Sequence, residues 1–317
     1  MSVRPSVAVV VPCRDAPTIS QCVQALVEAT RDSDPLVVVD DGSRAAVNEV
    51  GERVRCVRQE HGGPARARNR GARETASDVL VFVDADVVVP RDSVERLLGH
   101  LRPGVVAVQA VYAAGGAGFA ARLSNAMQRF QMLRIAPGPL AGLSSYCVAI
   151  RREAFETAGG FDERLARPTI EDDNLGLRLA RLGRVVVAAD VAVEHLATPS
   201  VAELVRRRYR MAHDRGLTVD AWLANRPPPE TRTHHPRATL VSAAMAGAAL
   251  LCPPAAPPLV VASALAEWEL LGWLAREEGT AVAIGAAGLL PALAGAGAVG
   301  AAVGLARRLL PLAPPPA

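Results

Sequence analysis

Short β-branched runs and longer helix-patterned stretches alternate through the first two hundred residues of the chain. Val7–Val11, Leu36–Val39, Val54–Val57, Val79–Val83 and Val105–Val108 are apolar runs bounded by polar residues, Gly or Pro, and read as strands. Between the first two, Thr18–Thr30 sets Ile19, Cys22, Val23, Leu26 and Val27 on one helical stripe, with Thr18 as the expected N-cap. Further helices are predicted over Ala65–Ala76 and, behind Pro90, over Arg91–Leu101. Strands of this kind separated by helices predict an α/β fold, a mainly parallel sheet flanked by helices on both faces. Ligands of such sheets bind at the carboxyl ends of the strands. The polar residues just after each run are therefore the candidates for chemistry.

The pattern changes near residue 217. Asn225–Arg237 is polar and Pro-rich and reads as a linker. Two long uncharged stretches come next, Ala238–Ala266 and Thr280–Ala306. The second is 27 residues long, against the roughly 20 that a hydrocarbon core requires. The first contains Pro253, Pro254, Pro257 and Pro258, which predict a kinked or re-entrant segment. Arg206, Arg207, Arg208, Arg210, Arg215, Arg226, Arg232 and Arg237 precede the first stretch, and Arg307 and Arg308 follow the second. The loop between them carries Glu267, Glu269, Glu277 and Glu278 against Arg276 alone. The positive-inside rule then predicts a multi-pass cell-membrane protein, two spans with both ends cytoplasmic. The alternative is a soluble Ala-rich helical domain. The expected organisation is 1–216 as the α/β domain, 217–237 as linker and 238–310 as membrane-embedded helices.

Composition narrows the classes. Aromatic residues make up 3% of the chain and the net charge is +3, which argues against a surface that stacks nucleic-acid bases. Every basic residue is Arg, a bias that a GC-rich coding history explains as simply as phosphate binding. Cys13, Cys22, Cys56, Cys147 and Cys252 form no CxxC pair, which argues against a disulfide framework and a structural zinc site. The apolar run at the N-terminus stops at Pro12, without the length or cleavage site of a secretory signal.

Acidic residues follow the strand runs. Val37–Val39 leads into Asp40-Asp41-Gly42-Ser43; Asp-Gly is also ordinary turn chemistry, and the motif alone leaves both readings open. Asp84-Ala85-Asp86 interrupts a run of Val between Val83 and Val87. In an extended segment these carboxylates point to one side, and burying them calls for a positive partner. A hard divalent cation with a substrate diphosphate meets that need; a solvated bulge is the bland alternative. Gly62–Gly71 (GGPARARNRG) is a Gly-rich turn opening a helix, able to face an anion or simply to be a solvated helix face. Thr169–Asn174 (TIEDDN) puts three acids at a helix start, where they act as caps or, in a cleft, as a general base. His195 follows the apolar runs Val185–Ala189 and Val191–Val193; imidazole there is either a structural group or a metal ligand. Gly295–Gly300 matches GxGxxG literally, but inside an uncharged stretch it reads as small residues for helix packing. His234-His235 has no partner cluster and is expected to be solvated.

In order, VVVPCRDA, VVVDDGS, GGPARARNRG, VFVDADVVV, AIRREAFETAGGFDERL, TIEDDNLGLRL and His195 resemble the family-2 glycosyltransferases of the GT-A fold, from about Ser6 to Tyr209. The resemblance implies a metal-dependent, inverting transfer of a sugar from a UDP- or GDP-linked donor to an acceptor hydroxyl, with the catalytic domain cytoplasmic. It places Pro12, Asp40, Asp41, Arg68 and Asp84 on the donor-nucleotide side, and Asp86 with His195 on Mg²⁺ or Mn²⁺. It makes Asp172 the general base with Glu171 in support, Asp173 being the alternative because Asn174 stands where many relatives have Asp. It sets Gly160, Phe161, Asp162 and Arg208 on the acceptor and diphosphate side. A membrane-proximal or lipid-linked acceptor is implied, and no nucleic acid. Val205–Tyr209 lacks the Gln and Trp of the Gln-x-x-Arg-Trp motif of processive synthases, so the resemblance does not extend to polymerisation. The rivals are a sugar nucleotidylyltransferase, which would show a Gly-rich loop where Pro12–Asp15 stands, and a non-catalytic membrane scaffold.

Overall fold

The computed structural model describes residues 4–47, 51–164, 170–232 and 237–310. Thr169 and His234-His235 lie outside the described residues. In chain order the elements of the first part are β1 (Val7–Cys13), α1 (Ile19–Ala29), β2 (Leu36–Asp41), β3 (Val54–Gln59), α2 (Pro64–Arg73), β4 (Val79–Val83), β5 (Val87–Val88), α3 (Ser93–His100) and β6 (Val105–Tyr112). Then come α4 (Phe119–Ile135), β7 (Cys147–Arg151), α5 (Arg152–Thr157), α6 (Glu171–Leu179), β8 (Arg184–His195), α7 (Val201–Leu217) and α8 (Val219–Ala224). The C-terminal helices are α9 (Arg237–Leu251), α10 (Ala256–Ala266), α11 (Trp268–Glu277) and α12 (Thr280–Leu309).

One eight-stranded sheet runs in the order β3-β2-β1-β4-β7-β6-β8-β5. Strands β3, β2, β1 and β4 are parallel, as the apolar runs predict. Strand β7 runs antiparallel to both β4 and β6, β6 and β8 are parallel, and β5 closes the edge antiparallel to β8. All residues of β2 and β4 are buried, whereas edge strand β3 is only partly covered, with Arg55 and Arg58 its exposed residues. Along β1 the period of two splits the core. Val7, Val9 and Val11 pack with Cys22, Val23 and Leu26 of α1, while Ala8 and Val10 face Ala65, Ala72, Phe161 and Leu175. Each such Val or Leu contributes roughly 1.5–3 kcal/mol by leaving water. Helix α2 lies so close to the sheet that a Cβ on Gly71 would strike the Val10 side chain.

One local expectation is corrected. Thr18 does not cap α1 with its side chain; its backbone is already helical (φ −91°, ψ −1°), and its hydroxyl donates to the Ala85 carbonyl at 2.9 Å. The two apolar runs around Asp190 are one strand, β8, whose register against β6 jumps between Ala188 and Ala192; such a bulge bends a strand and re-aims the residues beyond it. As its prolines predict, the stretch Ala238–Ala266 is broken: Pro253 and Pro254 start a 3₁₀ turn that separates α9 from α10.

The chain divides into two compact units. The sheet unit draws its described residues from 1–113, 132–197 and 227–234, and the helical unit from 114–131, 198–226 and 235–317. In the helical unit Leu204, Leu270, Leu274, Ala286, Leu290 and Leu293 form a core. Helices α7 and α12 touch backbone to backbone, since a Cβ on Gly300 or Gly304 would strike the Tyr209 or His213 carbonyl. Of the literal GxGxxG, that contact accounts for Gly300 alone. Among the described residues α12 is the one helix long and apolar enough by itself to cross a membrane; residues 253–277 pass only as a pair bent by 58°.

Candidate active site

The carboxyl ends of β1, β2 and β4 lie side by side, because the three strands are parallel neighbours. Asp40 and Asp41 close β2 with side chains turned inward. Asp41 accepts from the N–H groups of Gly62 (2.8 Å) and Gly63 (2.9 Å), from Gln59 Nε2 (2.8 Å), and pairs with His61 Nδ1 (2.8 Å). It thereby shapes the Gly-rich turn that opens α2. Arg14 approaches the other His61 nitrogen, Nε2, at 2.7 Å. Asp40 accepts from the Ser43 N–H (2.8 Å), from Arg58 (2.8 Å) and from the Val47 N–H (3.3 Å). Burial pushes its carboxyl up, but the hydrogen bonds of Ser43 and Val47 and the Arg58 cation outweigh burial and hold it below the ordinary range. With the Asp40 side chain 2% exposed, a hydrogen bond to a nucleotide base requires one of these partners to be exchanged. Pro12 precedes Cys13 at the end of β1, in register with Val39.

Asp84-Ala85-Asp86 is not extended. It is a turn closed by the Val87 N–H on the Asp84 carbonyl (3.0 Å), so the two carboxylates take different partners. Asp84 Oδ1 accepts from Arg68 Nη2 at 2.7 Å. Asp86 Oδ2 lies 3.4 Å from His195 Nε2. The β5–β8 pairing sets His195 opposite Val87, which is how a residue from the far end of the sheet unit reaches this turn. The His195 ring stacks on Tyr112 (centroids 4.6 Å, 8°), which stacks on Tyr146 (4.0 Å). Two aromatic rings therefore fix the imidazole plane.

Arg68 is buried inside α2 and ties two elements together, donating to Asp84 and, through Nη1, to Glu171 Oε1 at 3.1 Å. Its guanidinium lies 5.3 Å from the centroid of the Phe161 ring. Burial alone would lower its pKa; Asp84 and Glu171 more than reverse this. Arg68 is thus an internal bridge, not a surface cation waiting for phosphate. Next to it, Asn69 exchanges hydrogen bonds with the Phe161 backbone (2.8 and 2.9 Å) and fixes the Gly160-Phe161 turn, where Gly160 has φ 67°. The Phe161 side chain is core, packed on Phe82 and Phe155. Asp162 pairs with Arg164 at 2.8 Å.

Helix α6 begins at Glu171, with Asp172 and Asp173 in its first turn. Asp172 accepts from the N–H groups of Asp173 (2.8 Å) and Ser145 (3.2 Å). Burial, with the carboxylates of Glu171 and Asp173 beside it, raises Asp172 to about 7 against the opposing pull of Arg68. A carboxyl of that acidity matches a proton acceptor at neutral pH. Gly176 lets α6 press against Gly142 and Leu143, close to the Ser145 N–H that meets Asp172. The last expected residue, Arg208, belongs to the helical unit, where desolvation and Arg215 lower its pKa against the opposing charge of Glu267.

The donor set at the turn fits a hard cation of low protein coordination. Asp86 supplies oxygen and His195 nitrogen, and among the described residues no third His, Cys, Asp or Glu joins them. Mg²⁺-like ions are commonly held in this way, by one or two carboxylates plus substrate phosphates and water. The buried thiols beside the site offer no rival chemistry: burial pushes Cys13 up to about 11 and Cys147 to about 12.

The profile of glycosyl transferase family 2 matches residues 8–159, from β1 through the turn after α5. Those residues are a glycosyl transferase family 2 domain. A protein named pre-mycofactocin glycosyltransferase, from Mycobacterium tuberculosis, is 29% identical over 212 residues, covering 60% of this chain and 40% of that one. The chain thus spans well under half of that relative's length. Among solved structures, the mannosyltransferase PcManGT of Pyrobaculum calidifontis, in complex with GDP-Man and Mn²⁺, superposes with a TM-score of 0.62 at 21% identity, covering 98% of this chain and 88% of that one. TarS residues 1–349 of S. aureus superpose with a TM-score of 0.51 at 14% identity, covering 97% and 92%. The family-2 sheet and its flanking helices therefore have the GT-A-like fold.

Several residues of this family-2 site were invisible in the linear pattern. Ser145, Tyr146 and Tyr112 touch the site only because β7 and β6 lie beside β4 and β8. Arg58 meets Asp40 because β3 pairs with β2. Asn69 had a signal, being a polar residue inside an otherwise Arg- and Ala-filled helix start.

Proposed function

We propose that the protein is an inverting glycosyltransferase that moves a sugar from a UDP- or GDP-linked donor to an acceptor hydroxyl at the cytoplasmic face of the cell membrane. The observation that carries this reading is Asp172, a half-buried carboxyl with a pKa near 7, linked through Glu171 and Arg68 to Asp84 at the strand ends. As the acceptor oxygen attacks the anomeric carbon and the bond to the diphosphate breaks, Asp172 takes the hydroxyl proton. Glu171 and Arg68 hold the start of α6 against the turn after β4, which keeps base and donor in line. Asp40, Asp41 and Pro12 form the wall on the nucleotide side, with the turn Gly160–Asp162 on the acceptor side. Arg208 keeps the diphosphate-side role that the resemblance implies. Asp86 and His195 would hold Mg²⁺ or Mn²⁺, whose charge offsets that growing on the leaving diphosphate. The GDP-Man and Mn²⁺ bound by the archaeal protein of like fold agree with this assignment.

Residues 1–216 serve as the catalytic part, 217–237 as linker and 238–310 as the membrane part. Exposed Leu251, Ile284 and Trp268 (88%, 74% and 68%) support lipid contact for the last. A membrane-proximal or lipid-linked acceptor is the substrate that this placement favours. Purified full-length protein, screened with UDP- and GDP-sugars with and without Mn²⁺, tests the reading. Metal-dependent release of the nucleotide, lost in Asp86→Ala, is the expected result. Equal turnover after Asp86→Ala and Asp172→Asn would remove the site from the reaction.

A further inference from the structure

In the helical unit a cavity of about 1000 Å³ opens between α7, α9, α10 and α12. Its lining is largely small and apolar, including Gly288 and Gly295 of α12 and Ala246 and Ala249 of α9, and its rim on α7 carries Arg206, Tyr209 and Arg210. The two glycines are not there for close packing. A Cβ on Gly288 would meet nothing within 4 Å, and one on Gly295 only ordinary contacts at 3.8 Å and beyond. Gly300 and Gly304, one to two turns further on, are by contrast pressed against α7. The groove is room left open.

Its rim is cationic. Arg206 and Arg210 stand one helical turn apart, where like charges repel, and among the described residues neither is in an ion pair. The rim's one acid, Glu203, spends its Oε2 on the Ser200 N–H (2.6 Å) and hydroxyl (2.8 Å) in the capping box of α7. Leu250 is 62% exposed, and apart from Leu182 the large exposed apolar side chains among the described residues lie in this unit. A groove with an apolar floor, bounded by exposed hydrocarbon and two guanidinium groups, matches a long apolar chain ending in an anion. Two cations match the charge of a phosphate monoester, between one and two negative charges at neutral pH.

We propose that this groove binds a lipid phosphate monoester, its chain over Gly288 and Gly295 and its phosphate between Arg206 and Arg210. The site stands independently of the sugar-transfer reading; if that reading holds, the lipid is a candidate acceptor or an anchor.

Full-length protein in detergent micelles, photolabelled with a long-chain alkyl monophosphate bearing a diazirine in its chain, tests this. Mass spectrometry should find the label on peptides of α9 and α12. The matching alkyl alcohol should label them roughly tenfold less or weaker still. Arg206→Glu with Arg210→Glu should lose a similar factor. Gly288→Leu with Gly295→Leu, which fills open space, should abolish labelling at an unchanged thermal midpoint. Equal labelling by the alcohol, label confined to other helices, or full displacement of the monophosphate by phosphatidylglycerol would overturn the proposal. If a variant fails to fold, the phosphate-against-alcohol comparison on the unaltered chain still decides. Donor turnover measured on the same samples separates the two readings. Lost labelling with intact turnover refutes only the groove, and labelling without turnover refutes only the transferase.

Discussion

Asp172 sits in a helix start that should favour its anion, yet its carboxyl is raised to about 7 by burial and by Glu171 and Asp173. Its ordinary value is about 4. Between those two values the folded chain keeps a proton that the unfolded chain releases. Its contribution to stability is therefore full below about pH 4 and falls as pH rises through 7. Asp172→Asn should remove that fall and stabilise the protein at pH 8 by on the order of 1–3 kcal/mol, measured by denaturant unfolding at pH 5 and 8. The same variant should lose roughly 10²–10⁴-fold in transfer rate. In the unaltered enzyme the rate should climb about tenfold per pH unit up to 7 and then level off. A rate independent of pH between 5 and 8 would count against Asp172 as base. Arg68 is the opposite case, a buried cation between two carboxylates. Arg68→Leu takes the cation away from buried Glu171, at a cost of roughly 3–5 kcal/mol. Arg68→Lys recovers only part of it, because an ammonium lacks the fork that reaches both Asp84 and Glu171; paired unfolding curves distinguish the two.

At the scale of elements, positions depend on close approaches. Helix α2 can carry Arg68 and Asn69 into the site only because Gly71 lets it settle on Val10. Gly71→Ala should cost about 1–3 kcal/mol by overpacking, read from the thermal midpoint. It should also lower turnover more than an Ala substitution at exposed Gly99, where a Cβ meets nothing. The strands β1, β2, β3, β4 and β6 were legible as Val-rich runs, each found within a few residues of its expected place. Strand β7 and helix α4 were not, and the reversal of β7 between β4 and β6 has no signature in local periodicity. Local chemistry yielded to tertiary contact at Thr18, which keeps the N-cap position but gives its hydroxyl to Ala85.

At the scale of the whole molecule, charge and hydrocarbon are segregated along the chain. The sheet unit hides its apolar residues in two layers, while the helical unit leaves Leu251, Ile284, Leu309 and others exposed. The full-length protein should therefore sediment with membranes and resist extraction by alkaline carbonate. Release into the carbonate wash would make α12 a surface helix and not a span. The fraction of the molecule embedded turns on α12 and on the bent pair of residues 253–277, because the Pro-broken stretch after Ala238 yields only shorter helices.

The linear order determined the set of parts: apolar runs that make strands, acids placed just after them, and a Pro-interrupted apolar C-terminal third. Those arise from hydrophobic period and composition, which act over a few residues. Only the tertiary structure decided who meets whom. Arg68 reaches Glu171 across 103 positions, and Asp86 reaches His195 through the last pairing of the sheet. Asp40 turns inward to Arg58. Such partnerships depend on strand order and register, and neither is encoded in any short window of sequence.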